Sequence, residues 1–209
     1  MKIAVVAANG KAGRLIVKEA VERGMDVTAF VRSENKTVAQ SAVTKDIFAI
    51  TKEDLAGFDA VVDAAGAWTP DTVQVISDAA KHLAALLRGS KTRLLIVGGA
   101  GSLFVDPEHT KTVFDVTPFP EAVVPVVKAH QVALDEIRKC TDVNWTYVSP
   151  AGDFQADGER TGSYLLGGEE LTLNARGESI ISYADYAIAM VDEIESGNHM
   201  QQRISVVRA

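Results

Sequence analysis

The order of the apolar segments is the feature that most constrains this chain. Short apolar runs rich in β-branched residues alternate with helical patterns from the N-terminus to about residue 150. Strands separated by helices of this length form βαβ units, because parallel neighbours need a long crossover connection. The pattern therefore predicts an α/β fold in which a doubly wound, mostly parallel sheet carries helices on both faces.

The same pattern places the individual elements. Strands are predicted at residues 2–7, 26–32, 43–48, 59–65, 93–97, 143–148 and 203–207, with a short strand at best at 171–173. Helices are predicted at residues 13–23, 69–88, 124–140 and 183–196. A length of 209 residues favours one domain, residues 1–209.

Composition argues against several classes of protein. The net charge is −7 with no basic stripe, so the sequence predicts no nucleic-acid partner and no binding to anionic membranes. The apolar runs are too short for a membrane span. The single cysteine, Cys140, allows no internal disulfide and fits a cytoplasmic location. The four histidines have no metal-binding spacing, so no metal site is expected.

The strongest chemical signal is the turn AANGKAG at residues 7–13, directly between the first strand and the first helix. A dinucleotide site there needs a tight bend, close approach of backbone to pyrophosphate, and close packing of helix on strand. Gly10 and Gly13 meet the second and third needs, whereas Ala7 replaces the usual first glycine. A plain strand–turn–helix is the alternative. Cofactor contacts are expected from Ala8, Asn9, Gly10, Lys11, Ala12 and Gly13.

The end of the second strand bears on the choice of cofactor. NAD sites often carry an acidic residue about 20 residues beyond the glycines, where it binds the ribose hydroxyls. Here that place holds Arg32 and Ser33, which suit a 2′-phosphate. The sequence thus favours NADP(H) over NAD(H), and the alternative is a surface arginine that merely ends a strand.

Four further motifs make the sequence similar to a known family. They are VGGAGSL at 97–103, WTYVSPAGDF at 145–154, GERTGSY at 158–164 and ISYADYAIAMVDEIE at 181–195. With the glycine turn and Arg32, they resemble the atypical short-chain dehydrogenase/reductases over essentially the whole chain. Within that family the likeness is to the bacterial NADH-flavin reductase-like group, relatives of the NmrA-like and biliverdin reductase B proteins.

The resemblance implies where the cofactor and its cover lie. Family members are single Rossmann domains whose C-terminal segments, here about residues 151–180, cover the nicotinamide end. All the implied contacts follow predicted strands, where ligands bind in open α/β sheets. They are Asp46 and Ile47 beside adenine, Ala64, Ala65 and Gly66 after the fourth strand, Gly98 and Gly99 after the fifth, and Pro150, Ala151 and Gly152 near nicotinamide.

The resemblance also bears on catalysis. Many short-chain reductases use a Tyr-x-x-x-Lys pair, and here Lys128 occupies the lysine position while Val124 replaces the tyrosine. Without the tyrosine, hydride transfer to a flavin or quinone ring is favoured over alcohol–ketone chemistry. Ser102 and Lys128 are the candidate catalytic residues, Ser102 for an acceptor carbonyl or the nicotinamide amide and Lys128 for the ribose. A serine that caps local backbone and a solvated lysine are the alternatives.

Apolar and aromatic residues on the expected rim of the site suit a planar ring. Ordinary packing of the loops is the alternative. The candidate substrate contacts are Trp68, Leu103, Phe104, Phe154 and Tyr164.

Two functions are compatible with these observations. The first is an NADPH-dependent oxidoreductase that transfers hydride to a diffusible, planar small-molecule acceptor, with flavin as a substrate and not as a prosthetic group. The second is an NmrA-like redox sensor that binds NAD(P)(H) without meaningful turnover. The sequence leaves both a monomer and a homodimer open.

Overall fold

The computed structural model describes all 209 residues and contains ten strands and five α-helices. The strands are β1 (Lys2–Val6), β2 (Asp26–Val31), β3 (Ser41–Thr44), β4 (Ala60–Asp63), β5 (Arg93–Val97), β6 (Asn144–Ser149), β7 (Asp153–Gln155), β8 (Tyr164–Gly167), β9 (Ile180–Ser182) and β10 (Gln202–Arg208). The helices are α1 (Lys11–Glu22), α2 (Val75–Leu87), α3 (Val113–Val116), α4 (Val124–Arg138) and α5 (Tyr183–Ser196). None of the helices is both long and apolar enough to cross a lipid bilayer.

Eight strands form one sheet in the order β3-β2-β1-β4-β5-β6-β10-β8, and β7 pairs with β9 in a separate two-stranded sheet. Every pairing in the large sheet is parallel except that of β8 with β10. The first six strands have the order of a Rossmann fold, so the predicted fold class is confirmed. The strand order reverses between β1 and β4, which is where ligands bind in such sheets.

Both faces of the large sheet are covered by helices. α1 and α5 cover one face, and α2 and α4 cover the other. Successive residues of β1 alternate between the two cores, since Val5 packs with α1 and α5 whereas Val6 packs with α2 and α4. Burial on both sides explains why these strands are continuous apolar runs without polar alternation.

The third strand differs from the sequence prediction of residues 43–48. β3 ends at Thr44, and a 3-10 turn follows at Ile47–Ala49. The cause is Asp46, whose carboxylate accepts the amide of Phe48 at 2.9 Å and thereby begins the turn. The chain therefore turns away from the sheet at Asp46, two residues after the end of β3.

The sequence does not predict β7, β8, β9 or α3, and two further predicted elements differ from the structure. The helix expected over residues 69–88 begins at Val75, because residues 69–74 form successive hydrogen-bonded turns before regular helix starts. Residues 171–173 form no strand. The other predicted helices and strands are present, and each of their ends lies within two residues of the predicted position.

Residues 151–180, the predicted cover, are fixed in part to α5. The carboxylate of Asp185 accepts the amide of Thr161 at 2.9 Å and its hydroxyl at 2.7 Å. The hydroxyl of Tyr164 donates to Asp192 at 2.7 Å. Because Asp185 is fully buried, these bonds satisfy a carboxylate that would otherwise be costly to bury.

The turn after β1 is built from close backbone contacts. Ala7 has a φ of 57°, in the left-handed region that favours glycine. Its carbonyl accepts the amide of Gly10 at 3.0 Å. A Cβ on Gly13 would lie 2.9 Å from the carbonyl oxygens of both Ala7 and Ala8, so helix and strand pack too closely for a side chain there. The turn thus keeps the conformation of a glycine at position 7, although that residue is alanine.

Replacing Ala7 by glycine should stabilise the protein. The left-handed conformation costs an L-residue about 1–2 kcal/mol, and the freedom of glycine in the unfolded chain offsets roughly 0.5–1 kcal/mol of the gain. Ala7→Gly is therefore expected to raise the free energy of unfolding by about 0.5–1 kcal/mol in urea denaturation. The matched control is Ala12→Gly within α1, which should lower it by about 0.5–1 kcal/mol. A loss of stability in Ala7→Gly would show that the positive φ carries no strain.

Candidate functional site

The N-terminus of α1 presents free backbone donors at the carboxyl end of β1. The amides of Lys11, Ala12 and Gly13 donate to no atom of the protein, and the N-cap residue Gly10 has no side chain that could bond to them. The first turn of α1 contains no acidic residue. These donors and the positive end of the helix dipole suit a phosphate group. The predicted contacts of residues 8–13 therefore have an anion-binding geometry.

The side chain of Asn9 joins this turn to the loop after β2. Its amide nitrogen donates to the carbonyl of Glu34 at 2.9 Å, and its amide oxygen accepts the backbone amide of Lys36 at 2.8 Å. The sequence gives no sign of this role, since the partners lie 25 and 27 residues away. Ala8 is fully buried, so only its backbone can face a ligand.

Four cations lie on the two segments that Asn9 joins. Arg32 and Lys36 are on the loop, Lys11 and Arg14 are on α1, and all four are exposed. None of them forms an ion pair. Ser33 is also exposed. In a chain of net charge −7, these unpaired cations suit an anionic ligand.

The residues predicted beside adenine and after β4 lie at the carboxyl ends of β3 and β4. Asp46 uses its carboxylate to begin the 3-10 turn, and Ile47 is buried. Ala64 and Ala65 are buried as well. Gly66 is exposed, with no atom near the position of its missing Cβ. The exposed backbone of Gly66 thus follows the buried apolar residues Ala64 and Ala65.

Asp63, the last residue of β4, carries a buried carboxyl group that the sequence did not single out. It is 2% exposed, and its one protein partner is the amide of Ala65 at 3.0 Å. Burial raises the pKa of Asp63 to about 7, and the hydrogen bond from Ala65 offsets this only in part. A carboxyl group that titrates near neutral pH therefore precedes the residues predicted to contact the cofactor.

Gly98 and Gly99 are required by packing at the end of β5. A Cβ on Gly98 would lie 2.3 Å from Cε1 of Tyr147, and one on Gly99 would lie 3.0 Å from Cβ of His130. The Tyr147 hydroxyl donates to the carbonyl of His130 at 3.0 Å and accepts the amide of Gly99 at 3.2 Å. Burial lowers the pKa of His130 to about 4, so the imidazole is neutral at pH 7. His130 is a packed helix residue.

Pro150, Ala151 and Gly152 leave the carboxyl end of β6. Pro150 and Ala151 are buried, whereas Gly152 is exposed. The amide of Gly152 donates to the hydroxyl of Ser179 at 3.0 Å. The end of β6 is thereby attached to the segment predicted to cover the nicotinamide.

A cavity of about 490 Å³ brings together three of the predicted catalytic and substrate residues, namely Ser102, Phe104 and Lys128. Lys128 is exposed and has no ion-pair partner, so its ammonium group is free to bind a ligand. The volume is within the range of small-molecule sites. The other lining residues come from α3, from its N-cap residue and from one face of α4; they are Thr112, Phe114, Asp115, Val127, Gln131, Asp135 and Arg138.

Arg203 of β10 contacts both Ser102 and Phe104, a role that no sequence motif indicates. Its Nη1 donates to Oγ of Ser102 at 2.9 Å, and its Nη2 donates to the carbonyl of Glu169 at 2.9 Å. Its guanidinium lies 5.9 Å from the ring centroid of Phe104, on which His109 also stacks at 4.3 Å. The hydroxyl of Ser102 therefore accepts a fixed hydrogen bond and keeps its own proton, and the ring of Phe104 contacts Arg203 and His109 while it borders the cavity.

The remaining candidates for substrate contact do not line this cavity. Leu103 is 1% exposed and belongs to the core. Phe154 packs on Tyr183 with the ring centroids 3.9 Å apart, and Tyr164 bonds to a carboxylate of α5. Trp68 is 70% exposed on the loop before α2. Contacts within the protein thus engage Leu103, Phe154 and Tyr164. Of these four candidates, Trp68 alone is open to a ligand.

Comparison with known proteins defines the class. The chain matches the NAD(P)H-binding family over residues 7–196. It is 44% identical to the uncharacterized protein YwnB of Bacillus subtilis strain 168, over 99% of this chain and 98% of that protein. The crystal structure of SP1627 from Streptococcus pneumoniae TIGR4, described as a candidate NADH-flavin reductase, has 54% identity, a TM-score of 0.97 and full coverage of both chains. A Veillonella parvula short-chain dehydrogenase/reductase solved with NADP shares the fold, at 15% identity and a TM-score of 0.67, over 99% of this chain and 94% of that one.

The chain belongs to the NAD(P)H-binding family, since the match covers most of its length. Within it, the chain is a nicotinamide-nucleotide-binding member of the atypical short-chain dehydrogenase/reductase group. The residues present fit such a cofactor: the amides at the start of α1 are unpartnered, and Gly10 has no side chain to block their approach.

Asp63→Asn should change how stability depends on pH. Between the ordinary carboxyl pKa and about 7, folded Asp63 keeps a proton that the unfolded chain has released, so this residue makes stability fall as pH rises. His130 acts in the opposite sense, because its lowered pKa makes stability rise with pH from about 4 to its ordinary value. Asparagine removes the first contribution and leaves the second.

We therefore expect the stability of Asp63→Asn relative to the native protein to increase between pH 4 and pH 8, by up to about 4 kcal/mol. Urea denaturation across this pH range measures it. Asp71→Asn, at an exposed carboxylate before α2, is the control and should leave the profile unchanged. If the free energy of unfolding depended on pH in the same way for the native protein and Asp63→Asn, Asp63 would be ionised across this pH range.

Proposed function

We propose that the protein is an NADPH-preferring oxidoreductase that transfers hydride to a diffusible planar acceptor of the flavin or quinone type. The observation that carries the proposal is a group of unpaired cations beside the free amides of α1. The most important of them is Arg32. A 2′-phosphate requires charge-assisted donors at this place, whereas a site for NAD usually has a carboxylate there. The protein would act in the cytoplasm, on a small-molecule acceptor that binds as a substrate.

The residues of the chain would hold the two ends of the cofactor. NADPH supplies the hydride when it is bound. The first amides of α1 would bind the pyrophosphate, and Arg32 would bind the 2′-phosphate. Lys128 would bind the ribose, and the hydroxyl of Ser102, held by Arg203, would donate to an acceptor carbonyl or to the nicotinamide amide.

The side chains that could donate a proton favour an acceptor that takes its proton from water. Val124 occupies the place of the usual catalytic tyrosine. Tyr147 does not replace it, because its hydroxyl donates to the carbonyl of His130 inside the protein. His130 is neutral at pH 7, since burial lowers its pKa to about 4. A flavin or quinone ring that accepts hydride suits a site without an acid, because reduction leaves its charge delocalised.

Steady-state oxidation of NADPH, with NADH in parallel, tests the proposal. The acceptors are FMN, riboflavin and a soluble quinone. We expect turnover above the uncatalysed rate, with a higher kcat/KM for NADPH than for NADH. Tight NADPH binding without turnover of any acceptor would overturn the proposal of an enzyme and would favour a redox sensor.

Arg32→Ala tests the cofactor preference directly. One charge-assisted contact to phosphate is worth about 1.5–3 kcal/mol, so the Kd of NADPH should rise roughly 10- to 150-fold while that of NADH stays nearly constant. Isothermal titration calorimetry measures both constants. Arg88→Ala, an exposed and unpaired arginine at the opposite end of the sheet, controls for the loss of net charge. Equal losses for the two cofactors in Arg32→Ala would refute the assignment.

A further inference from the structure

We infer that Asn9 is a positioning residue that sets the preference for NADPH over NADH by holding the loop that carries Arg32. The inference rests on the proposed function, in which Arg32 binds the 2′-phosphate. Asn9 lies between β1 and α1, in the turn proposed to bind pyrophosphate. Its side chain would act on specificity through another residue and without contact to the 2′-phosphate.

The first argument is that both polar groups of the side chain are committed to the loop. The nitrogen donates to the carbonyl of Glu34 at 2.9 Å, and the oxygen accepts the amide of Lys36 at 2.8 Å. One of the two N–H groups and the oxygen are therefore engaged by the loop. A carboxamide suits this role because it donates to one backbone group and accepts from another at the same time.

The second argument is that nothing else holds this loop by hydrogen bonds. Residues 33–36 make no other hydrogen bond to the rest of the chain, apart from a local turn in which Asn35 accepts the amide and the hydroxyl of Thr37. The β2 ladder ends at Val31, one residue before Arg32. Without Asn9 the loop would have only its covalent ends to fix it.

The third argument concerns charge. Arg32 and Lys36 stand at the two ends of the tethered loop, and both are exposed without an ion-pair partner. A mobile loop would lose conformational entropy each time these cations closed on a phosphate. Because Asn9 ties the loop to the pyrophosphate turn, a ligand held by the α1 amides meets both cations already in place. NADH lacks the 2′-phosphate and gains nothing from this arrangement.

The test compares the Kd of NADPH and of NADH for the native protein and Asn9→Ala by calorimetry. Loss of two hydrogen bonds that order the loop should weaken NADPH about tenfold and NADH less than about threefold. Asn144→Ala is the matched control, because its amide also donates to a backbone carbonyl, that of Ser90 at 3.3 Å, but at the amino end of β6. It should leave both constants unchanged.

A double-mutant cycle with Arg32→Ala separates the inference from the proposed function. If Asn9 acts through the loop, Asn9→Ala should weaken NADPH strongly in the native background and clearly less in the Arg32→Ala background, where Lys36 is the one cation of the loop left to position. If the native protein does not prefer NADPH, the proposed function fails. If it does, but Asn9→Ala weakens both cofactors equally or adds fully to Arg32→Ala, the inference fails and the proposed function stands.

Amide exchange without any ligand provides the second readout. The amide of Lys36 donates to Asn9, so its exchange should be faster in Asn9→Ala and unchanged in Asn144→Ala. Urea denaturation of both variants shows whether they fold. Unchanged exchange at Lys36 in a folded Asn9→Ala protein would overturn the tether.

Discussion

The contact of α1 with β1 at Gly13 is the constraint on which the rest of the site depends. A Cβ there would meet two carbonyl oxygens at 2.9 Å, so the helix can start close to the strand only because the residue is glycine. That closeness brings the unpartnered amides of α1 to the carboxyl edge of the sheet. It also requires the left-handed conformation at Ala7, and it places Asn9 where its side chain reaches the loop after β2.

Arginine serves two physically different purposes in this protein. Arg93 and Arg203 are buried, and each is paired with a glutamate and bonded to a hydroxyl, so they join strands to helices and loops. Such pairs are costly to break, because removing one partner leaves a buried charge without compensation. Arg32 is exposed and unpaired, which leaves its donors available to a ligand. Burial and ion pairing therefore distinguish arginines that join structural elements from an arginine that is available to a ligand, and sequence position does so less well.

Much of the fold and part of the site could be predicted from the sequence because local rules govern them. Apolar runs, helix caps and glycine spacing identified the parallel sheet and the glycine turn after β1. Prediction failed at residues 43–48, where the Asp46 side chain starts a turn inside an apolar run. The candidate substrate residues Leu103, Phe154 and Tyr164 are engaged by packing, since a loop position does not reveal which way a side chain points.

The sequence by itself determined the class of fold, the glycine turn and the cation at the end of β2, because each depends on neighbours within a few residues. Tertiary structure alone decided the roles of Asn9, Asp63 and Arg203. Asn9 and Arg203 act on partners 25 to 101 residues away, and the pKa of Asp63 depends on burial among several elements. Hydrogen bonding and desolvation at such distances follow from packing, which a linear pattern does not contain.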